Sequence, residues 1–209
     1  MRPPRDPAEF LAALAELPLL CETPREWAVL AAANLPVFLA DHAVCEQQAA
    51  LSALNLVAHY PDDAELVERM TALAAEEILH LRRVTGILHR RGLQSSRRRG
   101  NPYVQALRAR VQKDREQVLK VDRLIVGALI EARSCERFTR LLEIIVDDDR
   151  EVAALLADLG PAEKRHWELF HRLAAREVDP AWFNPHWQGW LGFERDLCLR
   201  GGVQATVHG

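Results

Sequence analysis

No Cys-x-x-Cys pair occurs in this 209-residue chain; its four cysteines, at positions 21, 45, 135 and 198, stand far apart. That excludes a zinc or rubredoxin-type iron knuckle and gives no sign of a secreted disulfide framework, so reduced thiols are expected. No stretch approaches eighteen uninterrupted apolar residues, and the opening Met1-Arg2-Pro3-Pro4-Arg5-Asp6-Pro7 has no signal-peptide apolar core. The expectation is a cytoplasmic protein without a membrane span. Period-two alternation is also missing, which leaves no credible strand. Charge of one sign is not in excess: 27 Lys and Arg stand against 30 Asp and Glu, a formal net charge of −3. A uniformly basic nucleic-acid coat is excluded, but a local basic patch is not.

What is there is helical. Apolar residues recur three and four apart, and 49 % hydrophobic with 27 % charged residues suits one globular domain over 1–209. Thr23-Pro24 reads as an N-cap followed by a first-turn proline, and Pro36 should kink or divide the helix that follows. Core helices are expected at about 36–60, 63–92, 116–145 and 148–177. A long crossover with a shorter helix from 102 joins the second to the third, and an arm spans 178–209. Pro61-Asp62-Asp63 and Asp147-Asp148-Asp149 supply stops and capping oxygens, and Gly160-Pro161 predicts a kink in the last core helix.

Two Glu-x-x-His pairs, Glu77/His80 and Glu163/His166, carry the chemistry. Residues three apart share a helix face, so each pair can offer a carboxylate and an imidazole to one metal. Both pairs lie on apolar stripes: Leu66, Met70, Leu73, Glu77, His80, Val84 and Ile87 in one helix, and Val152, Leu155, Leu159, Glu163, His166, Phe170 and Leu173 in the other. Glu46 and Glu131 occupy similar stripes in the other two core helices. An inward carboxylate needs compensation, and a cation supplies it. The spacing repeats as well: Glu46 to Glu77 is 31 positions and Glu131 to Glu163 is 32, a pattern of two related hairpins.

A lone Glu-x-x-His is commonly surface decoration. The chain contains one such pair, Glu168/His171, off the stripe, as an internal control. Glu136 rivals Glu131, but five positions turn it about 140° away. The six donors Glu46, Glu77, His80, Glu131, Glu163 and His166 match the ligand set of ferritin-like di-iron and di-manganese carboxylate bundles, so the fold expected is an all-α ferritin-like four-helix bundle. With two imidazoles and no thiolate, iron is the first choice over zinc or copper(I). Two ferrous ions can activate O₂, and a hydroxylation would draw two electrons from an external donor. His42, one turn before Glu46, is either a contact of that carboxylate or a satisfied core histidine. Arg133 and Arg165 either neutralise ligand carboxylates or tie helices together.

The stretches Cys21-Glu22-Thr23-Pro24, Asp41-His42-Ala43-Val44-Cys45-Glu46, Leu124-Ile125-Val126-Gly127-Ala128, Ile130-Glu131-Ala132-Arg133-Ser134-Cys135-Glu136-Arg137-Phe138 and Glu163-Lys164-Arg165-His166 resemble the bacterial tRNA 2-methylthio-N6-isopentenyladenosine hydroxylases. The resemblance runs from about residue 19 to 176; Gly160-Pro161 and the tail 203–209 depart from it. It implies a non-haem di-iron site at the six positions, and O₂-dependent hydroxylation of the isopentenyl group on an adenosine beside the tRNA anticodon. It also implies an electron-donating reductase or ferredoxin as partner. The crossover arginines Arg97, Arg98 and Arg99, with Arg90, Arg91, Arg108, Arg110, Lys113 and Arg115 around them, are candidate RNA contacts. Two other functions fit the same metal site: a ferritin-like oxidase or peroxidase of oxidative stress, and a non-catalytic, metal-stabilised RNA-binding bundle.

Overall fold

The computed structural model describes residues 16–96 and 100–209, so the candidate RNA contacts Arg97, Arg98 and Arg99 lie outside the described residues. Seven helices and no strand occur among the described residues: α1 Arg25–Ala33, α2 Leu35–His59, α3 Ala64–Arg90, α4 Pro102–Arg110, α5 Glu116–Ile145, α6 Arg150–Ala175 and α7 Pro180–Arg200. The chain divides into two compact units. One comprises residues 33–99 and 205–207, and the other residues 1–32, 100–204 and 208–209.

The smaller unit is a helical hairpin of α2 packed on α3. Pro36 sits in the first turn of α2, where its missing N–H has no helical partner to lose. Between kinking a helix and dividing one, the chain divides, with α1 ending at Ala33 and α2 beginning at Leu35. Tyr60-Pro61-Asp62-Asp63 turns the chain, and the Asp63 carboxylate caps α3 by accepting from the Leu66 amide at 3.0 Å. The interface combines the small residues Ala43, Ala50 and Ala53 of α2 with the larger Leu66, Met70, Leu73 and Val84 of α3, all buried. The Val207 amide near the C-terminus donates to Asp41 of α2 at 2.8 Å.

The larger unit is built on the second hairpin, α5 against α6, with α4 and α7 packed on α5. Being covered from several sides, α5 is buried on most of its circumference from Val121 to Ile145. Side-chain caps start each shorter partner: Asn101 accepts from Val104 N at 3.1 Å, Asp149 from Val152 N at 3.1 Å and Asp179 from Ala181 N at 2.7 Å. Pro161 lies inside α6, which runs as one helix from Arg150 to Ala175. Most of the expected C-terminal arm is the helix α7.

Candidate metal centre

In the smaller unit, Glu46 lies in the middle of α2, and Glu77 and His80 lie one turn apart on α3. One ligand atom from each lies within 4.8 Å of the others. The side chains are 4 %, 1 % and 5 % exposed, so water does not screen the two carboxylates from each other. His80 Nδ1 is the nitrogen turned toward them, 3.4 Å from Glu77 Oε2 and 3.6 Å from Glu46 Oε2. His42 completes the group. Its Nε2–H donates to Glu46 Oε1 at 2.5 Å, the geometry of a histidine that holds a carboxylate in one orientation. Burial pushes the Glu46 carboxyl up to about 7, against the lowering pull of His42.

The larger unit brings together Glu131 of α5 with Glu163 and His166 of α6, again with ligand atoms within 4.8 Å of one another and all three residues buried. His166 Nδ1 stands 3.7 Å from Glu163 Oε2. Cys135, one turn beyond Glu131, is 1 % exposed; burial, followed by the charge of Glu163, pushes its thiol up to about 12, so it stays protonated and acts as a small packing residue.

Each unit therefore presents a buried group of two glutamates and one histidine. Buried like charges a few ångströms apart are strongly unfavourable unless protonated or bridged by a cation. Hard carboxylate oxygens with a single imidazole form a donor set suited to Fe(II) or Mn(II). The residues fit such ions on donor chemistry and burial.

The residues set aside in the sequence have other partners. Glu136 is buried, but it faces away from the donors. It accepts from the Thr23 amide at 2.9 Å, from the Thr23 hydroxyl, from Arg133 Nη1 at 3.1 Å and from Arg140 Nε at 3.4 Å. Arg133 belongs to the helix-tying alternative. It grips Glu194 of α7 with Nε at 2.9 Å and Nη2 at 3.0 Å, and it donates to the Cys21 carbonyl at 3.2 Å. The control pair also separates: Glu168 is exposed, while the His171 ring packs against Trp167, Phe183 and Trp187, and burial lowers its pKa. Tyr103 is tied down, its hydroxyl donating to Glu194 at 2.9 Å and its ring stacked on His208. Glu194 and Thr23, which anchor this network, carry no local sequence signal, because their partners are 61 and 113 positions away.

Comparison with known proteins bears directly on these groups. The family described as tRNA-(MS[2]IO[6]A)-hydroxylase (MiaE) matches residues 11–188. A relative from Pseudomonas putida named tRNA 2-(methylsulfanyl)-N(6)-isopentenyladenosine(37) hydroxylase is 38 % identical over 161 residues, covering 77 % of each chain. A protein of the same name from Salmonella typhimurium is 28 % identical, covering 75 % of this chain and 74 % of its own. Among solved structures, a Synechococcus protein described as having aldehyde deformylating oxygenase activity superposes with a TM-score of 0.82 at 25 % identity. The match covers 91 % of this chain and 95 % of that one. The all-helical fold is thus ferritin-like.

Proposed function

This chain belongs to the tRNA-(MS[2]IO[6]A)-hydroxylase family, and from that premise we propose how its buried donors serve the reaction. It is an enzyme that hydroxylates the isopentenyl group of 2-methylthio-N6-isopentenyladenosine in tRNA. We assign Glu46, Glu77, His80, Glu131, Glu163 and His166 as the ligands of a single two-iron centre in the cytoplasmic enzyme. O₂ is the co-substrate, and a reductase or ferredoxin supplies the electrons. The observation that carries this reading is the burial of two glutamates and one histidine in each hairpin, the composition of a di-metal carboxylate site.

Iron held by these six side chains would supply the means to activate O₂. The overall reaction takes one O₂, two electrons and two protons, places one oxygen atom in a C–H bond and releases the other as water. The protein's own contribution is positional. Each Glu-x-x-His pair fixes a carboxylate and an imidazole on one rigid turn, and His42 orients Glu46. Phe138 and Phe170 are buried on the same stripes as Glu131 and His166. No single helix among the described residues is long and apolar enough to cross a membrane.

Two measurements test the assignment. Deleting the gene should abolish the hydroxylated nucleoside in digested tRNA and leave its isopentenylated precursor, and complementation with Glu77→Ala or Glu163→Ala should fail to restore it. Purified Glu77→Ala and Glu163→Ala should each contain less than half of the wild-type iron. An unchanged nucleoside ratio in the deletion strain, or full iron content in both variants, would overturn the assignment.

A further inference from the structure

Away from the donor groups, a cavity of about 410 Å³ in the larger unit combines charge with aromatic surface; Arg110, Gln112, Asp122, His186, Gly189 and Trp190 line it. Its floor is rigid. Asp122, 0 % exposed, accepts from the Gln112 amide at 2.8 Å, from His186 Nε2 at 2.6 Å and from Trp190 Nε1 at 3.1 Å. Because a carboxylate only accepts, the His186 proton sits on Nε2, and Nδ1 has no protein partner among the described residues. Arg110 forms one wall. Its guanidinium lies over the rings of Trp190, at 5.2 Å, and Phe193, at 4.6 Å, and Nη2 donates to the Gly189 carbonyl at 3.4 Å. This fixes the planar fork while Arg110 itself remains exposed. At the rim Trp182, 40 % exposed, stacks on His186 with ring centroids 4.4 Å apart and planes 26° apart.

The elements share one logic. Trp182, His186 and Trp190 recur every four residues along α7 and form a single aromatic stripe. Opposite them ends the basic crossover: Arg108, Arg110, Lys113 and Arg115 are all exposed, in a chain whose formal net charge is −3. A stacking plane beside a fixed guanidinium is what an unpaired nucleotide uses, since every base has a π-face and every phosphate accepts from a guanidinium fork. An acidic protein surface would use the charge and leave the exposed indole without purpose. Asp122 stands nine residues before Glu131 on α5, about 13 Å along the helix axis, so a loop nucleotide held here lies near one at the donors.

We propose that this cavity is an RNA subsite that takes one unpaired anticodon-loop nucleotide flanking the modified adenosine, with its base on Trp182 and its phosphate on Arg110. The proposal rests on the tRNA-hydroxylase reading and extends it to residues that reading does not name.

The test uses iron-loaded full-length enzyme and an anticodon stem-loop RNA bearing the isopentenylated adenosine. Trp182→Ala and Arg110→Gln should each raise the KM for this RNA at least tenfold, with kcat at saturation retained. Trp182→Phe, which keeps a stacking ring, should restore affinity, and Arg110→Gln should flatten the salt dependence of binding by about one phosphate contact. Arg195→Gln, an exposed control whose guanidinium pairs with Asp196, should change none of these values. Unchanged KM and salt slope in both cavity variants would overturn the subsite. So would a defect seen only when a protein reductase supplies the electrons and absent with a chemical reductant, which would assign the surface to that protein. If the wild-type enzyme binds the stem-loop through this cavity yet hydroxylates nothing, the functional reading fails while the subsite stands.

Discussion

The two hairpins carry the same donors in different surroundings. His42 lies four residues before Glu46, and the residue four before Glu131 is Gly127. Val84 follows His80 by four, and Phe170 follows His166 by four. In the smaller unit the position before the single glutamate is a histidine that donates to it. In the larger unit the matching position is empty of side chain and filled by a ring: a Cβ at Gly127 would come within 2.8 Å of Phe170 Cδ1. One glutamate is thus oriented by a hydrogen bond, while the corresponding turn of the other hairpin is packed with apolar surface. A repeat in sequence preserves the candidate donors and lets the support around each one diverge, so a nearly symmetric set of side chains sits in two unequal environments.

Breaking this comparison at the donors should have the largest effect. Glu46→Ala and Glu131→Ala should both reduce hydroxylation to background in a nucleoside assay, since each removes the only carboxylate its helix contributes. If only one of them did so, the two hairpins would not be equivalent as ligand donors. Next comes His42→Ala. It leaves every proposed ligand in place but frees Glu46 to reorient, so metal affinity should fall about 10- to 100-fold in a chelator competition. A fall of that size with an unchanged unfolding midpoint separates an orienting role from a merely structural one. Gly127→Ala is smaller and of another kind. Forcing a methyl against the Phe170 ring should lower stability by about 1–3 kcal/mol in urea denaturation, and Phe170→Leu in the same chain should recover part of the loss. The smallest effect belongs to Glu168→Ala, the exposed glutamate of the third Glu-x-x-His, which should change stability by no more than about 0.5 kcal/mol and iron content not at all.

Much of the architecture is legible in sequence because its causes are local. The ends of α2, α3, α5 and α6 fall within about two residues of the expected 36–60, 63–92, 116–145 and 148–177, since prolines and capping aspartates act on the nearest turn. Pro36 and Pro161 look alike in sequence and behave differently. Pro36 falls at the start of a helix, where no hydrogen bond is lost. Pro161 lies inside α6, which continues through it with Leu159, Ala162, Glu163 and His166 all buried. Packing along its length holds α6 together as one helix across a residue that removes an i→i−4 hydrogen bond. The C-terminal segment was legible only as an arm; its helix α7 carries the partners of Arg133 and Asp122 that no nearby residue announces.

Sequence by itself determined which side chains are candidate donors and their phase on each helix, because 3.6 residues per turn converts spacing into a shared face without reference to the rest of the chain. Only the tertiary structure decided which buried charged side chains already have hydrogen-bond or ion-pair partners. Glu136 meets Thr23 from 113 positions away, Arg133 meets Glu194 from 61, and Asp122 meets His186 from 64. The electrostatics of a buried carboxylate depend on what lies within a few ångströms, and for these residues that neighbour comes from a different part of the chain.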